Sequence, residues 1–161
     1  MKRTMGKLPI FQKLHHVCIV VRDIENAVKY YESIGVGPWT DFPPMDAYEL
    51  DGYDRPAFLK MRYKFANIDN AQLQLCQPGD GDTPQRRFLG SRGEGVFHLG
   101  FSVESCDKAE EQAASAGLDV LARGRLDDRS GFTYFKTVNE GAGVTLEVRA
   151  PSTKATQGIK S

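Results

Sequence analysis

The feature that most constrains the fold of this chain is an internal repeat. Residues 14–27 read LHHVCIVVRDIENA and residues 96–109 read VFHLGFSVESCDKA. An offset of 82 residues, the difference between positions 98 and 16, aligns His16 with His98 and Val21 with Val103. In both copies alternating residues lead into a helical pattern, so each copy predicts a strand followed by a helix. The repeat therefore predicts two similar halves, each with a histidine at the same point of its first strand.

The remaining elements of the two halves also follow one order. Apolar residues at helical spacing, followed by glycines, predict one amphipathic helix in each half. The first begins with Asp23 as its N-cap and ends near Ile34, and the second begins at Ser105 or Asp107 and ends at Ala116. Alternation predicts further strands at 58–66 and 72–77, and in the second half at 120–123, 132–138 and 142–148. Residues 40–56 are predicted as an irregular insertion and residues 79–95 as an irregular connector, so each half reads strand–helix–strand–strand–strand.

The composition limits the classes of function. The chain has 161 residues, a length typical of a single domain, and 21 basic residues balance 21 acidic ones. Without a net positive charge, binding to nucleic acid or to an anionic membrane surface is not expected. No apolar run reaches the roughly 18 residues of a membrane span, and the first residues lack the apolar segment of a secretory signal. Three cysteines without a CxxC pair indicate reduced, buried thiols, so we expect a cytoplasmic protein.

Four polar residues at paired places of the repeat form the candidate site. On the first strand of each half, His16 and His98 lie on the face opposite the apolar residues that a helix would cover. On the last strand of each half, Gln74 and Glu147 stand between apolar neighbours, in LQL and LEV. All four side chains are therefore predicted to face the space that the two halves enclose. His15 lies on the opposite face of its strand and is predicted to be structural or exposed.

Two imidazoles, a carboxylate and an amide oxygen suit one divalent cation. Nitrogen ligands favour Zn, Co, Ni or Fe, and oxygen ligands admit Mn. Four protein ligands leave coordination positions for substrate when the cation is five- or six-coordinate. Taken singly, each histidine could be an ordinary core residue and Glu147 a solvent-facing one. Their paired places in a repeat favour a metal site made of His16, Gln74, His98 and Glu147.

The sequence resembles the vicinal oxygen chelate superfamily, which contains glyoxalases, bleomycin-resistance proteins and extradiol dioxygenases. The segments LHHVCIVVRDIENAVKYYESIGVGPW, GEGVFHLGFSV and GVTLEV are similar to its motifs, and the similarity extends from Leu14 to Val148. Within it, the branch of methylmalonyl-CoA epimerase-like proteins has ligands that match His16, Gln74, His98 and Glu147. The resemblance implies an α+β fold of paired βαβββ modules, at about 12–79 and 94–150, forming a U-shaped mixed sheet around a metal-binding cleft. It also implies a homodimer; the tails 1–11 and 151–161 are expected to be frayed.

The resemblance implies a metal-dependent isomerase, epimerase or lyase that stabilises an enolate of a small oxygenated carbonyl substrate, with a 2-methylmalonyl-type acyl-CoA as one candidate. Glu147 is then both ligand and catalytic base. The similar epimerases have a second Glu before the third strand, where this chain reads DGYDRPAF; Glu49 and Asp54 are the nearest acids. This difference favours a reaction that needs a single carboxylate base. The alternatives are a metal-free small-molecule binding or resistance protein and an extradiol-type dioxygenase.

Overall fold

The computed structural model describes residues 8–152, and all nine strands in this range belong to one mixed sheet. The strands are β1 (Leu14–Val20), β2 (Thr40–Asp41), β3 (Glu49–Asp51), β4 (Arg62–Ile68), β5 (Ala71–Gln77), β6 (Gly95–Ser102), β7 (Val120–Arg125), β8 (Gly131–Phe135) and β9 (Thr145–Ala150). The helices are α1 (Ile24–Ser33), α2 (Arg55–Leu59), α3 (Pro84–Arg92) and α4 (Cys106–Ser115). The predicted α+β fold class with a mixed sheet is confirmed.

The two repeat strands lie side by side at the centre of the sheet. The strand order is β2-β4-β5-β1-β6-β9-β8-β7-β3, and β1 pairs with β6 in antiparallel orientation. Each repeat strand has the last strand of its own half as a parallel neighbour, β5 beside β1 and β9 beside β6. The first and last strands of both halves are therefore the four central strands, and the polar residues predicted on them share one region.

Both repeat helices begin as the sequence predicts. The side chain of Asp23 accepts a hydrogen bond from the backbone N–H of Asn26 at 3.1 Å, and that of Ser105 accepts one from Lys108 at 3.1 Å. These bonds satisfy backbone donors that the first helical turn leaves without a partner. Fully buried Ile24 is the innermost residue of α1. Both helices thus pack on the sheet face that alternation assigned to apolar residues.

The insertion and the connector contain more structure than predicted. Residues 40–56 include β2 and β3, and β3 crosses to the far edge of the sheet to pair with β7 of the second half. The predicted strand 58–66 begins only at Arg62, because Asp54 caps a short helix through its bond with the backbone N–H of Ala57. Within 79–95, Thr83 caps α3 in the same way.

The expectation of a frayed N-terminal tail is wrong for its last residues. Pro9–Phe11 form a 3₁₀-helix, and Ile10 is 4% exposed. Ile10 packs in a cluster with Phe135 and Val148, so an apolar side chain anchors this segment to the second half. Residues 1–7 and 153–161 lie outside the described residues. No helix within residues 8–152 combines the length and hydropathy that crossing a bilayer requires.

Candidate metal centre

Sheet register brings three of the four predicted residues together. On β6, Gly100 lies opposite His16 of β1 on one side and opposite Glu147 of β9 on the other. His98 precedes Gly100 by two residues and so faces the same side of the sheet. The side chains of His16 and Glu147 meet over the glycine, and that of His98 meets them from along the strand.

The three side chains converge with the spacing of metal ligands. His16 Nε2 lies 2.8 Å from Glu147 Oε1 and 2.9 Å from His98 Nε2, and His98 Nε2 lies 3.5 Å from the same carboxylate oxygen. Two atoms bonded to one cation at about 2.1 Å are about 3.0 Å apart at a right angle and about 3.4 Å apart at a tetrahedral angle. The triangle of donor atoms therefore has the dimensions of one face of a coordination shell.

The polar atoms of the cluster lack the hydrogen bonds that a metal-free core would need. His98 Nδ1 and Thr145 Oγ1 are buried without a hydrogen-bond partner, and Glu147 Oε1 is buried against the two imidazole nitrogens. Between His16 Nε2 and His98 Nε2, 2.9 Å apart, at most one nitrogen can donate while both are neutral. Buried lone pairs that face one another are costly, whereas a cation would accept lone pairs from His16 Nε2, His98 Nε2 and Glu147 Oε1 at once. The donor set therefore fits a divalent cation.

The glycine below the cluster supplies the space for it. A Cβ atom at Gly100 would lie 2.1 Å from His16 Cε1, 2.3 Å from His16 Nε2 and 2.6 Å from Glu147 Oε1. Any other residue would push the imidazole and the carboxylate out of position. Sequence reasoning did not assign a role to Gly100, although a glycine inside a strand is a signal of close approach by other groups.

Burial and neighbouring charges hold the cluster in its ligand form. Burial lowers the pKa of His16, and this effect outweighs the opposing effect of Glu147. The neutral form of the imidazole is therefore favoured. Burial opposes ionisation of Glu147, but its interactions with the imidazoles of His98 and His16, hydrogen bonds among them, outweigh this effect and keep the pKa of the carboxyl below its usual range. At neutral pH the site thus presents a carboxylate and a neutral His16, the forms that bind metals.

Gln74 occupies the position equivalent to Glu147, as the repeat predicts. Cys18 pairs with Gln74 across β1 and β5 in the same register that joins Gly100 to Glu147 across β6 and β9. Gln74 is 5% exposed, and its amide nitrogen donates to Gln72 Oε1 at 2.8 Å. It lines the same cavity as His16 and Glu147. Coordination of a cation by Gln74 stays a prediction.

A cavity of about 380 Å³ adjoins His16 and Glu147. Its other walls are mainly apolar and aromatic and come from both halves: Phe42, Pro43, Pro44, Met45, Tyr48, Phe58, Tyr63, Phe132 and Tyr134. Mostly apolar walls with a few convergent polar groups are typical of small-molecule sites. Among residues 8–152, Glu147 is the only carboxylate that lines the cavity, and neither Glu49 nor Asp54 does.

His15 lies where alternation did not predict it. Its side chain is buried, lines the cavity and brings Nδ1 to 2.7 Å from His16 Nδ1. The register between β1 and β6 shifts between Leu14 and His16, and the extra residue of such a bulge departs from strict alternation. The bulge therefore explains why the prediction that His15 lies on the opposite face from His16 was wrong, while a structural role for His15 stays a prediction.

Comparison with known proteins gives a family and a set of structural neighbours. The family model described as "Glyoxalase/Bleomycin resistance protein/Dioxygenase superfamily" matches residues 15–135. Among solved structures, methylmalonyl-CoA epimerase from Mycobacterium tuberculosis is 23% identical with a TM-score of 0.68, over 94% of this chain and 96% of that one. Methylmalonyl-CoA epimerase from Streptomyces coelicolor, in complex with 2-nitronate-propionyl-CoA, is 20% identical with a TM-score of 0.68, over 89% and 99%.

A hypothetical protein from Bacillus halodurans C-125 is 18% identical with a TM-score of 0.65, over 90% of this chain and 98% of that chain. No curated protein matches the chain. At these identities the structural neighbours establish the fold alone.

Proposed function

The chain belongs to the glyoxalase/bleomycin resistance protein/dioxygenase superfamily, and from this premise we propose that it is a divalent-metal-dependent isomerase, epimerase or lyase. Its substrate is a small carbonyl compound with two neighbouring oxygen atoms. The observation that carries the proposal is the convergence of His16 Nε2, His98 Nε2 and Glu147 Oε1 within 4.8 Å in a buried cluster. These donors come from both halves, and two of the residues, His16 and Glu147, line a cavity of substrate size.

When bound, a divalent cation supplies Lewis-acid stabilisation of the negative charge that develops on a carbonyl oxygen, which makes the adjacent C–H acidic. The imidazoles of His16 and His98 would hold that cation through their Nε2 atoms. Glu147, ionised at neutral pH, is the group able to accept the proton from carbon and return it. The aromatic walls reduce access of water and so favour return of the proton to substrate.

The single carboxylate favours a reaction with one base. An epimerase that removes a proton on one face and returns it on the other needs a second proton-transfer group. In the described part of the chain the remaining candidates on the cavity walls are the imidazole of His15, whose Nδ1 lies 2.7 Å from His16 Nδ1, and hydroxyl groups. Burial raises the pKa of Tyr48 and, more strongly, of Tyr63 and Tyr134, so these side chains are protonated and can only donate. Because no second carboxylate lines the cavity within residues 8–152, we favour an isomerase or lyase, with a methylmalonyl-type acyl-CoA as the candidate substrate that the named neighbours suggest.

The decisive experiment combines metal analysis with proton exchange. Protein stripped with a chelator and reloaded with Mn, Co, Ni, Zn or Fe(II) should bind one equivalent of metal. It should then exchange a substrate C–H for deuterium in D₂O, followed by NMR with methylmalonyl-CoA and a panel of 2-oxo acids. Glu147→Gln should abolish exchange while keeping the fold, and Glu111→Gln, which changes an exposed carboxylate on α4, should not.

An extradiol-type dioxygenase is the alternative that the ligand set also permits, and it is tested by a separate assay. Two histidines and one carboxylate also form the facial triad of Fe(II) oxygenases. Oxygen uptake by the Fe(II)-loaded protein with catechols, without C–H exchange, would replace the proposed reaction with an extradiol-type dioxygenation. A protein that rebinds no metal, and whose His16→Ala/His98→Ala double variant folds and still binds small molecules, would instead be a metal-free binding protein.

A further inference from the structure

A second charged side chain lines the cavity beside the candidate metal centre. Arg149 follows Glu147 by two residues on β9, so both side chains lie on the same face of the strand. At a rise of about 3.3 Å per residue, their Cα atoms are about 7 Å apart. Arg149 borders the cavity, and Phe132 of β8 lies opposite it in the sheet. The position of Arg149 along β9 thus places a positively charged side chain within the length of one small molecule from the metal ligands.

The other basic side chains on the strands, those of Arg62, Lys64, Arg123 and Arg125, lie outside the cavity. Arg62 pairs with Glu25 at 2.5 Å and Lys64 pairs with Asp41 at 2.7 Å, on the outer part of the first half. In the second half, Arg125 pairs with Glu110 at 2.6 Å. None of these residues lines the cavity. Within residues 8–152, Arg149 is the only lysine or arginine on the cavity wall.

The charge balance of the loaded cavity favours an anion. Glu147 contributes one negative charge and Arg149 one positive charge, so a divalent cation would leave the cavity wall with a net charge of about +2. The walls around these charges are mainly apolar, which strengthens their action on a bound molecule.

We propose that Arg149 binds a carboxylate group of the substrate, so that the substrate class is an organic acid whose carboxylate lies beyond the two oxygens that meet the metal. The proposal rests on the proposed function, because it takes the metal centre as the other anchor of the substrate. A guanidinium group matches a carboxylate with two parallel hydrogen bonds and keeps its charge when partly buried.

The short separation between Arg149 and Glu147 indicates which part of the substrate carries the anionic group. The phosphates of an acyl-CoA are separated from its thioester by the whole pantetheine arm, whereas Arg149 stands only two residues from Glu147. The group that reaches Arg149 therefore belongs to the reacting part of the substrate. The apolar walls leave room for a hydrocarbon or aromatic body between the two anchors.

Hydroxamates test the two anchors separately, since a hydroxamate presents two vicinal oxygens to a metal. Binding of benzohydroxamate and of 3- and 4-carboxybenzohydroxamate to the Co(II)-loaded protein is measured by calorimetry and by the change in the Co(II) absorption spectrum. At least one carboxylate-bearing probe should bind tenfold or more tightly than benzohydroxamate. Arg149→Gln should remove this preference and leave benzohydroxamate affinity within threefold, and Arg149→Lys should keep part of it. Arg87→Gln, an exposed arginine of α3 paired with Asp82, is the matched control and should change neither.

The outcomes separate the two proposals. If no hydroxamate perturbs the Co(II) spectrum, the metal centre fails and the proposed function fails with it. If benzohydroxamate binds but the carboxylates add nothing, or if their preference survives in both Arg149 variants, the metal centre stands and the role of Arg149 is overturned. A tighter fit of 4-phosphonobenzohydroxamate than of either carboxylate would reassign the pocket to a phosphate-like group and also overturn the carboxylate proposal. Retained benzohydroxamate binding shows that each variant is folded and loaded.

Discussion

Gly100→Ala is the smallest change that should destroy the candidate metal centre. The new methyl carbon would lie 2.1 Å from His16 Cε1 and 2.6 Å from Glu147 Oε1. Carbon atoms in contact are normally about 3.5–4.0 Å apart, so the imidazole must move by about 1.4 Å or more. Metal–ligand distances tolerate only about 0.2 Å. The displaced ring could no longer share a cation with His98, and the carboxylate of Glu147 would also have to move.

The expected loss exceeds that of an indirect substitution. Changes to residues that only orient the ligands typically cost 10- to 100-fold in metal affinity. Displacing a ligand itself should therefore weaken binding by at least about 100-fold. Overpacking at this site should also destabilise the metal-free protein by about 1–3 kcal/mol, or several degrees in Tm. Competition against a metallochromic chelator measures the first quantity, and urea denaturation in EDTA measures the second.

Gly90→Ala is the matched control. Gly90 lies in α3, and a Cβ atom there meets no heavy atom within 4 Å. Alanine at an exposed helical position should leave metal affinity unchanged and stabilise the fold by up to about 1 kcal/mol. If folded Gly100→Ala binds metal within threefold of the parent, the cation does not lie among His16, His98 and Glu147, and the reasoning from this cluster is refuted.

Three further predictions concern the neighbours of the cluster. Gln74→Ala should weaken metal binding about 10-fold or more by the same chelator competition if the amide is a ligand, and unchanged affinity would restrict the ligand set to three residues. His15→Phe, which keeps a ring at the bulge but removes the contact between the two Nδ1 atoms, should weaken binding by 10- to 100-fold, and full affinity would make His15 a packing residue. Burial lowers the pKa of His16, so at pH values below about 6.5 the unfolded chain binds a proton that the native state resists. Urea denaturation in EDTA should therefore show stability falling as the pH is lowered from 7 to 5, with a smaller fall in His16→Gln; equal slopes would contradict this origin.

The sequence predicts the strand residues of the candidate site better than it predicts the strand pairing and the bulge around them. Alternation assigns each strand residue to a face and the repeat selects equivalent strands, so the sequence predicts that His16, His98 and Glu147 face the same space. Their contact also requires the pairing of β1 and β9 with β6. The pairing of β3 with β7 depends on contacts between distant segments, which no local periodicity encodes. The place of His15 was missed for a related reason, since a bulge shifts register without changing residue types.

Duplication supplies symmetric positions, but one residue breaks the symmetry of the contacts. Gly100 lies between His16 and Glu147 in the sheet, and its counterpart in the first copy, Cys18, lies in the same way between His98 and Gln74. Cys18 is fully buried, and burial raises the pKa of its thiol well above the usual range, so it fills space without offering a thiolate. His16 can therefore approach Glu147 to 2.8 Å across the glycine, while the equivalent space beside Gln74 holds a side chain. This difference explains why Glu147, rather than its counterpart Gln74, contacts His16, so the repeat alone does not make the two halves equivalent at the candidate metal centre.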